Sequence, residues 1–311
     1  MRTAVSDAID FLLDGDPAIR WQAMRDLQDA PAVTWQAERA RVAVDGWGAQ
    51  FLSHQNSDGG WPRARWTDSV WTMVTLVELG MLPDDDRLTA GFEKVIGWIM
   101  PKGQRVSRDD LLKRLDLCHL AFYLRIGSRF CPQDERLPEL SDVILRSRLK
   151  DGAWNCRIRM KPKTCHSSFH TTFNVLDGLR EAAEAGVVSR CRFDEVEAEA
   201  VEFMLQHKMY RSDKTGEIVS DRFLDLTYPS HWHYTVLRGL DYIQGTPFIA
   251  DARLDDALSW LETRRKPGGR WPVEKRIPGV TLFDMEKMGQ DSRWNTLRAL
   301  RVLRRRAQAG A

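Results

Sequence analysis

Tyr228-Pro229-Ser230-His231-Trp232-His233-Tyr234 sets two imidazoles between two phenols in one short segment. Histidine changes charge near neutral pH, so His233 or His231 is a candidate general acid or base. On a helix, side chains two apart do not face the same way, so the pair does not suit one shared metal; His233 is taken as the inward one. Pro229 suits a helix start. Twelve tryptophans stand against five tyrosines. Trp21, Trp66, Trp71, Trp232 and Trp294 fall at or just before the starts of predicted helices. Together with Tyr234, four of them (Trp66, Trp71, Trp232 and Trp294) are candidates for binding an apolar ligand; filling a helical wall is the competing role. The run Asp84-Asp85-Asp86 follows Gly80-Met81-Leu82-Pro83 and precedes an amphipathic stretch, the expected setting for helix N-caps.

The elements that must position these groups read as helices. Apolar residues recur at three and four, and strand patterning is nearly absent. Outer helices are expected at about 3–14, 39–55, 87–100, 136–149, 193–208 and 252–265. Inner helices are expected at about 17–29, 66–80, 109–126, 167–182, 229–243 and 290–306, giving six pairs. The inner helices share a polar residue followed by apolar ones four and seven positions on: Thr72, Asp116, Thr172, His233 and Thr296 hold that polar place. Equal helical phase puts them at one level near the helix starts, where Thr72 and Thr172 are candidate ligand contacts. Connectors at 151–166, 209–228 and 266–289 lead to the same end, as functional loops do. Helix starts offer unpaired N–H groups, and Arg63, Arg65, Lys113, Arg114, Arg157, Arg159, Lys161, Lys163 and Arg293 lie nearby, so an anionic group such as a diphosphate suits that end. Their plainer role is that of solvated loop charges.

Three helical runs end alike, at Gln55-Asn56-Ser57-Asp58-Gly59-Gly60-Trp61, Lys150-Asp151-Gly152-Ala153-Trp154 and Lys266-Pro267-Gly268-Gly269-Arg270-Trp271. A repeat of this kind decides architecture before any local pattern does. The turns resemble the QW motif of squalene–hopene cyclases and the related turns of protein prenyltransferase β subunits. Phe51-Leu52-Ser53-His54-Gln55 completes the first copy, and the other two keep its glycine-to-tryptophan half. The resemblance implies an all-α fold, one (α/α)6 toroid over residues 1–311. It also implies an enzyme acting on an apolar, isoprenoid-like molecule in a central lumen. The acid motif of class II cyclases reduces here to Asp68, in Thr67-Asp68-Ser69-Val70-Trp71-Thr72. A lone aspartate lacks the like charges that would raise its pKa for proton donation. Prenyltransferase β subunits hold zinc through Asp-x-Cys and a later histidine. Asp116-Leu117-Cys118 and His170-Thr171-Thr172 resemble those segments, the second with spacing one residue out. The resemblance thus implies zinc at Cys118 and His170; Cys156, which lies between them just after the second tryptophan turn, is a further candidate ligand, with Asp116 or His166 as a fourth, and a catalytic zinc needs three such ligands and one open position. A small core role for Cys118 and a helix-start hydrogen-bonding role for His170 stand beside that reading. Two other readings are a non-catalytic toroid that binds a hydrophobic ligand or a protein partner, and a carbohydrate-active (α/α)6 enzyme. The last would need paired carboxylates, for which Asp68 and Asp116 are the chief candidates.

Lys+Arg 46 against Asp+Glu 44 gives no reason to expect nucleic acid as a partner. The basic run Arg301-Val302-Leu303-Arg304-Arg305-Arg306 reads as cations favoured at a helix C-terminus. No apolar run nears the roughly 20 residues of a membrane span. Acidic residues interrupt the apolar start, which does not resemble a signal peptide. Five cysteines, without a close pair, fit a reducing compartment, and the expected location is the cytoplasm.

Overall fold

The computed structural model describes residues 2–62, 66–104, 106–161, 163–277 and 281–310, with backbone alone at 2–4 and 66–67. Among them the fold is all-α. The helices are α1 (Arg2–Leu13), α2 (Pro17–Asp26), α3 (Ala32–Ala40), α4 (Gly46–Ser53), α5 (Trp66–Leu79), α6 (Asp86–Ile96) and α7 (Arg108–Arg114). They continue as α8 (Leu117–Phe130), α9 (Leu137–Arg146), α10 (Phe169–Glu184), α11 (Arg190–Gln206), α12 (Val236–Ile243), α13 (Asp255–Thr263) and α14 (Arg293–Ala309). One antiparallel pair joins β1 (Trp271–Pro272) to β2 (Asp291–Ser292). No helix of the described residues is long and apolar enough to cross a membrane.

Two expected helices are each broken in two. The one at 39–55 takes in the last two residues of α3, a 3-10 turn at Arg41–Ala43, and α4, which opens on Gly46, whose φ of 67° is open to glycine at little cost. The one at 109–126 is α7 and α8, parted at Leu115 and Asp116, both in extended conformation. The inner helix expected at 229–243 is short: Thr235 caps α12, its hydroxyl accepting from Arg238 N, and 229–235 are not helical. A hydroxyl that can satisfy an exposed helix-start donor sets the boundary there, not the proline.

The chain divides into two compact units, one of residues 1–50, 79–81 and 204–311, the other of 51–78 and 82–203. The second unit holds the first two tryptophan turns and the first unit the third. All three are built alike. The indoles of Trp61, Trp154 and Trp271 are fully buried and donate to Phe51, Ile144 and Leu261 carbonyls at 2.8, 2.9 and 2.8 Å. Glycine closes each turn, with Gly59, Gly152 and Gly269 N–H groups bonded three residues back to Asn56, Leu149 and Lys266. Gly152 has φ 90°, and a β-carbon there would meet Glu199 O at 2.9 Å, so the residue is fixed by both backbone and space.

A hydroxyl on the next helix accepts from each tryptophan N–H: Ser69, Thr172 and Thr296, at 3.1, 3.4 and 3.0 Å. Ser69, rather than Thr72, is therefore the counterpart of the other two. The Thr72 hydroxyl turns back to its own helix and donates to Asp68 O at 2.6 Å. Asp85 caps α6, accepting from Arg87 N at 2.9 Å, as the aspartate run suggested.

In the first unit α14 meets α1, α2 and α12. Only Arg306 lies in its last turn, and its arginines act as clamps. Arg301 binds Asp241 and lies 3.4 Å from Asp26, Arg304 binds Asp29, and Arg306 reaches Asp255 at 2.6 Å. In the second unit α10 lies close against α8, because a β-carbon at Gly178 would stand 2.6 Å from Ala121 O. The half-buried Arg125 of α8 joins Glu78 at 3.4 Å and Asp177 at 3.6 Å. This close helix pair fixes the groups described next.

Candidate functional site

Asp116 occupies the N-cap of α8 and Cys118 the second helical position. Cys156 opens a 3-10 turn immediately after the second tryptophan turn. Their sulfurs stand 2.9 Å apart, and Cys118 N–H points to Cys156 Sγ at 3.4 Å. Thr171, on the first turn of α10, completes the corner. Its hydroxyl accepts from Cys156 N at 3.1 Å and from Cys118 Sγ at 3.8 Å. The connector that carries Cys156 is tied down at both ends. Ser168 N bonds Trp154 O at 2.8 Å, Ser167 N bonds Asp151 at 2.7 Å, and Asn155 bonds His166 O at 2.7 Å.

One shared hydrogen bond moves the two thiols in opposite directions. The hydrogen bond with Cys156 holds the Cys118 sulfur below the usual thiol range against its burial, with Thr171 and Asn174 assisting. The same bond, with burial, pushes Cys156 well up. A helix N-terminus also favours a thiolate at Cys118. One sulfur is therefore prepared as a nucleophile or soft ligand, with the second thiol against it. Around them Arg157, Arg159, Lys161 and Lys163 are exposed, and Met160 is 82% exposed. Arg159 reaches Lys113 O at 3.0 Å and Asp116 at 3.5 Å. His119, next along α8, is held below its ordinary pKa chiefly by burial.

Of the candidate zinc ligands, the structure brings Cys118 and Cys156 together. His170 is the second residue of α10 and half-buried. His166 lies 3.4 Å from Asp151 and edge-on to Phe203. Among the described residues no group of three or more His, Cys, Asp or Glu side chains stands where it could hold a metal ion. Two zinc–thiolate bonds of about 2.3 Å at a tetrahedral angle would also part the sulfurs to roughly 3.7 Å. The corner as it stands supplies two ligands at too close a spacing.

The remaining candidates fall as follows. Asp68 is buried on the first turn of α5, and Trp71 is half-buried on the same helix. The side chain of Trp66, with Arg63 and Arg65, lies outside the described residues. Thr172 is fully buried and engaged by the Trp154 turn. In the first unit, Tyr234 is buried and donates to Met209 O at 2.6 Å. Arg293 donates to Phe11 O at 2.9 Å and covers the Phe11 ring, so it anchors α1. Trp294 is buried and stacked on Tyr228 at 4.6 Å, with Trp47 at 6.5 Å. Trp232 is 38% exposed and stacked on His233 at 3.8 Å.

His231, at φ 47°, and His233 belong to a tight turn whose carbonyls both accept from Arg238. Burial, then His233, Arg238 and Arg276, push His231 down to about 3. Burial, with Arg222 and Arg238, pushes His233 down to about 4. Both are neutral at pH 7, able to accept a proton but not to donate one as imidazolium.

Sequence reasoning missed Thr171, Asn174 and Trp47. Thr171 adjoins Thr172 in His170-Thr171-Thr172, and only the second lies on the repeat phase. No family model matches the chain, and no curated protein matches it. Among solved structures it is similar to a protein from Actinoplanes at 16% identity, with a TM-score of 0.48, over 98% of this chain and 99% of that one.

Proposed function

We propose that the chain is an enzyme acting on an apolar, isoprenoid-like small molecule, with the Cys118–Cys156 corner as its reactive centre on an (α/α)6 toroid scaffold. The single observation that carries this reading is the contact of those two sulfurs at a helix start. The position corresponds to the Asp-x-Cys of the prenyltransferase resemblance, two residues after the N-cap Asp116. Three tryptophan turns with the same hydrogen bonds support the repeat.

In this role the Cys118 thiolate attacks the substrate's electrophilic carbon, the C–S bond forming as the C–O bond to the leaving diphosphate breaks, and Thr171 and Asn174 donate to the thiolate once its proton has left. The exposed basic residues of the connector attract an anionic leaving group such as a diphosphate. Zinc, when bound, would supply a held thiolate at neutral pH. It would require His170 or Asp116 to be drawn to sulfurs that have moved apart. His231 and His233 enter as bases only.

Farnesyl diphosphate tests the proposal. Binding by the whole chain, measured by calorimetry, is expected and should weaken at least tenfold in Cys118→Ser. Absence of binding, or binding indifferent to Cys118→Ser, contradicts the reading. A toroid that only binds an apolar ligand or a protein partner would return the probe unchanged, and product analysis separates the two. Elemental analysis of the purified chain decides zinc.

A further inference from the structure

We infer that Cys118 and Cys156 are a dithiol that a hydroperoxide converts to a disulfide, which makes this corner a redox modification site. The sulfurs are 2.9 Å apart, inside ordinary non-bonded contact and roughly 1 Å longer than a disulfide bond. Both carriers are already fixed at that approach. Cys118 stands on α8, Cys156 N–H is held by Thr171, and the connector is pinned by Asp151, Trp154 and Asn155. A dithiol held this way needs no loop closure to become a bond. Cys131 and Cys191 are instead paired with Thr89 and Glu195, and offer no such step.

The reaction balances with the hydroperoxide as oxidant. The Cys118 sulfur attacks the outer peroxide oxygen; an S–O bond forms and the O–O bond breaks. The alkoxide leaves as the alcohol, carrying the thiol proton. The Cys156 sulfur then attacks the sulfenic sulfur; the S–S bond forms, the S–O bond breaks, and the hydroxyl leaves as water with the Cys156 proton. Two electrons pass from the two thiols to the hydroperoxide. The link would tie the connector to the start of α8 and withdraw both thiols from chemistry. That consequence alone rests on the proposed function; the bond itself does not.

The test uses the full chain with Cys131, Cys165 and Cys191 replaced by serine, reduced and then treated with hydrogen peroxide. Thiol titration is expected to fall from two to none, peptide mapping to join Cys118 to Cys156, and dithiothreitol to restore both thiols. With Cys156→Ser added, Cys118 should accumulate a dimedone-reactive sulfenic acid. Over-oxidation of Cys118 beside an intact Cys156 thiol, or two unreacted thiols, would overturn the inference. A linkage that leaves farnesyl diphosphate binding unchanged would uphold it and overturn the role given to the pair in the proposed function.

Discussion

Thr171 and Thr172 are neighbours on the first turn of α10, yet they serve two regions of opposite character. Thr172 is spent on the Trp154 turn, where indole, amide and glycine N–H groups all have fixed partners. Thr171 serves the thiol corner, where a hydroxyl and an amide hold two sulfurs in contact. The turn is stable because each polar group has a partner and the tryptophan is wholly buried. The corner is reactive because two groups that compete for charge are held side by side. The difference shows how one helix start divides its side chains between holding a repeat and preparing a nucleophile.

The largest way to break that division is Trp154→Ala. Loss of a fully buried indole should cost about 3–5 kcal/mol in chemical denaturation, and the connector carrying Cys156 should loosen with it. Thr172→Val should cost about 1–3 kcal/mol, because the buried Trp154 N–H loses its acceptor, while Cys118 keeps its alkylation rate. Thr171→Val should show the converse: about 1 kcal/mol in stability, but slower alkylation of Cys118 at neutral pH. If both threonine variants changed stability and thiol reactivity alike, the division would be lost.

The smallest effect belongs to His231 and His233. Folded, they stay neutral down to about 3 and about 4; unfolded, they take up a proton near 6.5. The unfolded chain therefore binds more protons in that window, and stability present above pH 6.5 declines as pH falls toward 4. Solvent screening of half-buried rings keeps the loss on the order of 1 kcal/mol between pH 7 and 5. A His231→Gln, His233→Gln double variant should flatten most of that slope in thermal melts.

Much of the helix content was legible, because apolar spacing at three and four is a strong and local signal. The tryptophan turns were legible too, since glycine before a buried tryptophan recurs three times. Ser69 was not: a repeat read by side-chain phase chose Thr72, but a hydrogen bond needs the residue that reaches the turn, and that residue lies three positions earlier. The break before Asp116 was hidden because Leu115 continues the apolar pattern through a residue whose backbone is extended. That break sets Cys118 at a helix N-terminus, which bears directly on its chemistry. Cys156 was suggested as a neighbour of Cys118 only by its place after the second tryptophan turn, between two segments chosen by resemblance, for no spacing rule joins residues thirty-eight apart across a turn. Tyr234 and Arg293, chosen for their type near a helix start, are bound within the fold instead.

The most direct test is the pH profile of Cys118 alkylation, resolved by peptide mass spectrometry, in the native chain and in Cys156→Ser. The coupled pair should make Cys118 react as a thiolate below the range of an ordinary thiol, and removal of the Cys156 sulfur should move that profile upward. A Cys118 that titrates as an ordinary thiol in both proteins would contradict the account.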